Sequence, residues 1–418
     1  MKTINELLKN SKTSFFAVKE AEEILCENGF EKLLENQDFI LKNGGKYYVK
    51  RNDSALIAFI AAAKKQTGYK IVASHTDSPC FKVKLGKNPV KAGCSTVYVE
   101  QYGGGLRYTW FDRPLRLCGR LCGEKDGQFH TMFYLSENRY VIPSLAIHYN
   151  RSANDGIPFN VQTDCQPIYS MQCDPEILKK DLETAFDGTL LDCDLYLISD
   201  EEPFFSGRDN ELLCAPRVDN LTSCFSSIES LIDCTAKPDM TLVAYLADNE
   251  EVGSRTKQGA GSTFLYDILE RTANALSNKC LQANLSNSFM VSCDNAHATH
   301  PCHAQLADGS NDVFLGGGIV IKHHANMNYT SDGISSAYLK AVLKKADVQY
   351  CDFYMRSDLP CGGTLGAISS SQVSIKSVDI GIAQLAMHSA VETFAIKDYA
   401  TMKNGLTAFY MSDLKIPE

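Results

Sequence analysis

No stretch of this chain is apolar for long enough to cross a bilayer. The longest run without a polar side chain, ALIAFIAAA at 55–63, covers nine residues, where a spanning helix needs about 20. The amino terminus, MKTINELLKN, has no apolar signal core and no cleavage pattern, so a cytoplasmic setting is expected. Basic charge is in deficit: 41 Lys and Arg against 50 Asp and Glu give a net charge of −9. That balance argues against nucleic acid and against anionic membrane surfaces as partners. Cysteine is plentiful at 16, but Cys-x-x-Cys is absent and the nearest pair is Cys118 and Cys122. A four-thiolate zinc site therefore lacks its spacing, and the thiols read as reduced small hydrophobes in a core. There is neither a repeat at solenoid period nor a low-complexity linker.

What is present is organised in two textures. Apolar residues at helical intervals from Ile4 to Leu25 predict one broken or two short helices. GGKYYVKR and SALIAFIA predict paired strands across the turn NDS, and TGYKIVASH a buried strand ending at His75. Residues 88–212 carry short alternating segments such as STVYVEQY, LRYTWF, HTMFYL and CDLYLIS, broken by Gly, Pro, Asn and Asp, which predicts a β-rich insert. From about 213 strands and helices alternate again: NLTSCFSSIESLI (helix), TLVAYLA (strand), TFLYDILERTANAL (helix), SFMVSC (strand), SSAYLKAVLKKA (helix) and VETFAIKDYATMKNGLTAFY (a final helix). The expected fold is a layered α/β catalytic domain, 1–87 and 213–418, split in sequence by the β-rich unit 88–212.

The residues able to do chemistry follow the apolar runs. His75 ends IVASH with Asp77 two residues on; Asp219 lies in PRVDN; Glu250 and Glu251 follow TLVAYLA; Asp294 follows SFMVSC; His388 follows IGIAQLAM. In open α/β sheets the carboxyl ends of strands border the ligand crevice, so these distant residues can meet there. Two imidazoles, two aspartates and a Glu-Glu pair suffice to hold two cations and leave one carboxylate to act on water. Adjacent buried glutamates repel and require positive charge nearby. Taken singly, each has a plainer reading: a loop histidine beside a capping aspartate, a helix N-cap at Asp219, a solvated acidic turn at 250–251, a packed His388. Asp294 also heads a histidine cluster, His297, His300 and His303, in which Pro301 interrupts a helix and favours a loop.

Together these residues resemble the aspartyl aminopeptidase family, M18 zinc metallopeptidases with a dinuclear centre. The resemblance rests on HTDSP at 75–79, YGGGLRYTWFDRPL at 102–115, PSLAIHYNR at 143–151, APRVDN at 215–220, DNEEVGS at 248–254, DNAHATHP at 294–301, CGGTLG at 361–366 and QLAMHS at 384–389. It implies two Zn²⁺ per subunit: His75 and Asp294 on one, Glu251 and His388 on the other, and Asp219 bridging. It implies Glu250 as general base, Asp77 as the group that orients His75, and removal of amino-terminal acidic residues from peptides. It further implies that the insert mediates dimerisation within a tetrahedral dodecamer, and that His148 reaches a neighbouring subunit's site. His297 is implied close to the substrate carbonyl, and Lys322 and Tyr329 in a pocket for an acidic side chain. Mn²⁺ or Co²⁺ also suits such oxygen-rich sites. The sequence departs from the family pattern at Asn295, Ala153 and Asp155, which bears on substrate preference rather than on metal ligands. Two alternatives stand beside this reading: a neutral aminopeptidase or N-acyl amino-acid deacylase on the same core, and a non-catalytic oligomeric shell, which would have lost ligands that are all present here.

Overall fold

The computed structural model of the chain describes residues 2–156, 158–235, 239–276 and 280–417. Its centre is a mixed sheet in which the strands Thr241–Ala247, Tyr69–His75, Phe289–Cys293 and Lys376–Leu385 lie side by side and parallel. The hairpin Lys46–Arg51 and Ala55–Ile60 extends it antiparallel on one side. Ile319–His323 pairs antiparallel with Lys376–Leu385, and Tyr350–Tyr354 pairs parallel with Ile319–His323.

Central strands are buried on both faces, and the two-residue period of a strand sends alternate side chains to opposite cores. Leu242, Ala244 and Leu246 join one core, beneath helices Val218–Ile232, Gly333–Lys345 and Ile396–Met411 and the amino-terminal helices Ile4–Asn10 and Ser14–Glu27. Val243, Tyr245 and Ala247 join the other, beneath helices Phe264–Ala275, Leu281–Ser286 and Leu365–Gln372. The result is a three-layer α/β architecture. Because the sheet is parallel at its centre, Tyr69–His75, Thr241–Ala247 and Phe289–Cys293 all finish at the same edge.

A second, antiparallel sheet runs in the order Gln128–Leu135, Leu115–Lys125, Thr189–Ser199, Cys80–Val83, Val99–Tyr102. It has its own core, in which Trp110 meets Phe81 edge-on at 5.2 Å. No helix among the described residues is long and apolar enough to cross a membrane.

Three local expectations are corrected. VETFAIKDYATMKNGLTAFY is not one helix: Glu392–Ala395 is a strand between Leu212–Ala215 and the end of Lys376–Leu385, and the helix starts at Ile396. Cross-strand partners, not intrinsic propensity, decide that turn of chain. LRYTWF contains a 3-10 turn, Arg107–Trp110, rather than a strand. The β-rich insert also contains a helix, Ile177–Phe186, whose Leu178, Leu182 and Phe186 recur at i, i+4, i+8 and face the second core.

Candidate metal centre

His75, Asp219, Glu250, Glu251, Asp294 and His388 converge at the carboxyl edge of the parallel strands. Three groups of potential ligands overlap there: His75 with Asp219 and Asp294, Asp219 with Glu251 and His388, and His75 with Glu250 and Glu251. His75 Nε2 lies 3.5 Å from Asp219 Oδ1 and 3.7 Å from Asp294 Oδ1. His388 Nε2 lies 3.5 Å from Asp219 Oδ2 and 3.4 Å from Glu251 Oε1. One oxygen of Asp219 thus faces each imidazole. These separations are too long for good hydrogen bonds. They match the edge of a tetrahedron of ligands around zinc, about 3.3 Å for bonds of 2.0–2.1 Å.

Burial makes the arrangement costly without cations. His75, Asp77, Asp219 and Asp294 are all less than 10 % exposed. Asp219 Oδ1 and Glu251 Oε1 are buried without a hydrogen-bond partner, although buried polar atoms are ordinarily paired. Burial pushes the Glu250 carboxyl up to about 8; His75 opposes this, and Asp294, Asp77 and Asp219 add to it. Burial and Asp219 likewise hold Glu251 well above the carboxylate range. Burial disfavours charged His388, yet Asp219 and Glu251 outweigh it and lift its pKa to about 10. His75 is raised in the same way, against burial, by Asp219, Asp294 and Asp77. Protons and metal ions compete for the same lone pairs, so these directions mark excess negative charge that divalent cations fit.

Local structure fixes the candidate ligands. The Nδ1 of His75 lies 3.1 Å from the Asp77 carbonyl oxygen and 3.4 Å from Asp77 Oδ1, which directs Nε2 toward the aspartates. The Asp77 carboxylate also accepts the N–H groups of Glu250 and Glu251, at 3.0 and 3.1 Å, and the Tyr102 hydroxyl at 2.8 Å. It therefore sets the turn carrying the glutamate pair. Asp219 opens the helix Val218–Ile232 with non-helical backbone, and its carbonyl accepts from Ser78 Oγ. Asn295, the departure after Asp294, is buried and fully engaged: its amide donates to Val218 O, Thr222 Oγ1 and Gln384 Oε1.

The other expected residues lie in different settings. His297 follows Asp294 on the short strand Ala296–His297, paired to Gln384, and its ring packs against Phe353. Desolvation, Lys322 and His388 hold its pKa below the ordinary imidazole value. Lys322 is 2 % exposed; its ammonium donates to Asn295 O, lies 3.5 Å from Asp294 Oδ2, and sits over the buried Tyr329 ring at 4.9 Å. His148 is not brought to the cluster within this chain. It lies in an exposed turn beside Leu145, Ile147 and Tyr149, all exposed. The His300 and His303 rings lie 5.0 Å apart, tilted, and belong to none of the ligand groups among the described residues.

Sequence reasoning missed the residues that act through the backbone. Buried Glu392 accepts from the N–H of Asp219 at 3.0 Å and from the N–H of His388 at 2.6 Å, joining two candidate ligands 169 positions apart. Gly104 O lies 3.2 Å from His388 Nδ1, and a Cβ on Gly103 (φ +73°) would come within 3.1 Å of Glu251 Cβ. The GGG at 103–105 was a visible signal; the strand-opening Glu392 carried none.

Comparison with known proteins shows the family. A family model described as Aminopeptidase I zinc metalloprotease (M18) matches residues 7–410. A probable M18 family aminopeptidase 2 of Clostridium novyi is 38% identical over 421 residues, covering 96% of each chain. A probable aspartyl aminopeptidase of Ricinus communis is 34% identical, covering 96% of this chain and 93% of its own. The solved mApe1 dodecamer of S. cerevisiae superposes with a TM-score of 0.84 at 25% identity, covering 97% of this chain and 95% of that one.

Proposed function

The chain belongs to the M18 family of zinc metallo-aminopeptidases, and from that premise we propose that it removes acidic amino-terminal residues from peptides at a two-zinc centre. His75 and Asp294 hold one ion, Glu251 and His388 the other, and Asp219 bridges. The observation that carries this is the division of Asp219's two oxygens between His75 and His388 at 3.5 Å each. Zinc bound there would supply Lewis acidity toward the scissile carbonyl and lower the pKa of water.

The chain's own residues do the rest. Glu250, beside the ligands but needed by neither ion, takes the proton of the attacking water and returns it to the departing amine. Asp77 keeps Glu250 in place through its backbone N–H. His297, at the exposed margin, donates to the developing oxyanion, the charge whose stabilisation usually matters most. Lys322 supplies the positive charge toward an acidic first side chain. Its ammonium has Asp294 as its only carboxylate ion-pair partner among the described residues, and a compact ammonium can serve as a point charge for a substrate carboxylate.

The same proposal includes the quaternary arrangement. The unit 88–212 mediates dimerisation, dimers build a dodecamer, the state of the yeast relative, and the exposed apolar turn around His148 docks on a neighbour so that His148 completes that neighbour's site. The experiment is hydrolysis of aspartyl, glutamyl, leucyl and N-acetyl-aspartyl arylamides by zinc-loaded protein. Aspartyl and glutamyl substrates should be cleaved best, with the preference weakened in Lys322→Met. Leucyl preference would contradict the specificity, and cleavage of the acetylated substrate alone would contradict the aminopeptidase.

A further inference from the structure

Seven of the nine histidines are not ligands of the proposed centre, and five of these seven line one groove that leads away from it. A cavity of about 210 Å³ is bordered by His297, His300, His303 and Phe353. A second, of about 410 Å³, is bordered by His323 and His324. The two share Asp308, Asn311, Tyr354, Met355 and Arg356, so they form one continuous depression. Its inner end is His297, three residues from Asp294 and paired with Gln384, whose amide meets Glu392.

The lining decides what fits. Its formal charges are already engaged: Arg356 pairs with Asp358 at 2.8 Å, and Asp308 holds the Ser310 and Asn311 side chains. His323 is paired with Asp352 at 2.8 Å and His300 Nδ1 accepts the Cys302 N–H; the remaining imidazole nitrogens, able to donate or accept, face the groove together with the exposed apolar surfaces of Leu306, Tyr354 and Leu359. His324 Nδ1 is buried without a hydrogen-bond partner. The strand Tyr350–Tyr354, whose last residue borders both cavities, pairs only with Ile319–His323 among the described residues. Its outer edge presents unpaired main-chain groups, the template for adding an extended peptide.

We propose that this histidine-lined groove binds the main chain of the substrate downstream of the scissile bond. Neutral donors and acceptors beside apolar walls suit an extended peptide of varied sequence. The inference rests on the aminopeptidase reading above and extends it: the residue removed is chosen at the metal centre, while the length of the remaining chain is read here. Contacts remote from the reacting bond contribute to transition-state stabilisation when they position the substrate.

The test compares kcat/KM for an aspartyl arylamide, aspartyl-alanine amide and aspartyl-tetraalanine amide, in the wild type and in Asn311→Trp, which places bulk where the two cavities join. Wild type should favour the pentapeptide amide over the dipeptide amide by about tenfold, and Asn311→Trp should abolish most of that ratio. His303→Ala, on an exposed position, should lower it partially. A wild-type ratio near one, or a ratio retained in Asn311→Trp, would overturn the groove while leaving arylamide cleavage intact. Absence of arylamide cleavage by the wild type would instead contradict the aminopeptidase reading.

Discussion

Glu392 touches neither substrate nor the expected ions, yet its carboxylate receives backbone N–H groups from Asp219 and His388 and the Gln384 amide. Residues that orient ligands ordinarily contribute 10–100-fold to metal affinity, as an order of magnitude. Glu392→Ala should therefore weaken zinc binding by about 10–100-fold, measured by competition with a chelator, while zinc in excess restores part of the turnover. Glu392→Gln keeps one acceptor oxygen and should fall between. Equal zinc affinity in all three proteins would show that the two backbone contacts are dispensable.

At the scale of elements, the site depends on how tightly the strand Lys376–Leu385 approaches the turn after Phe289–Cys293. Gly381 lies opposite Val320, and a Cβ there would come within 2.1 Å of the Asp294 carbonyl oxygen and 2.8 Å of Asn295 Cα. The obstacle is backbone, which no rotamer change relieves. Gly381→Ala should cost about 1–3 kcal/mol of stability, the usual range for overpacking, read from the denaturant midpoint, and should weaken zinc binding by displacing Asp294. An unchanged midpoint would contradict the fit. Gly381 was invisible in the sequence because its neighbour is 87 positions away. The proposed ligands were legible because all but Asp219, which opens a helix, follow an apolar run, and parallel strands deliver such positions to one edge. Glu392 was not, since its partners Asp219 and His388 are set by how the 386–391 turn folds over the first sheet. The strand Glu392–Ala395 has a helical sequence pattern for the same reason: its identity comes from Leu212–Ala215 beside it.

For the whole molecule, a site completed by His148 from a neighbour predicts complementation. Glu250→Gln and His148→Ala, each weakly active alone, should recover roughly a quarter of wild-type turnover when co-expressed in equal amount, since half of randomly formed two-fold pairs contain one intact site of two. Activity no greater than the sum of the two variants would place His148 outside its neighbour's site. The central claim, that five side chains hold two ions while a sixth stays free to move a proton, is tested most directly by counting zinc per chain alongside turnover in wild type and Glu250→Gln. The account predicts two zinc ions per chain in both proteins, with turnover lower by about 10²–10⁴-fold in the variant. One ion or none per chain, or a variant as active as wild type, would contradict it.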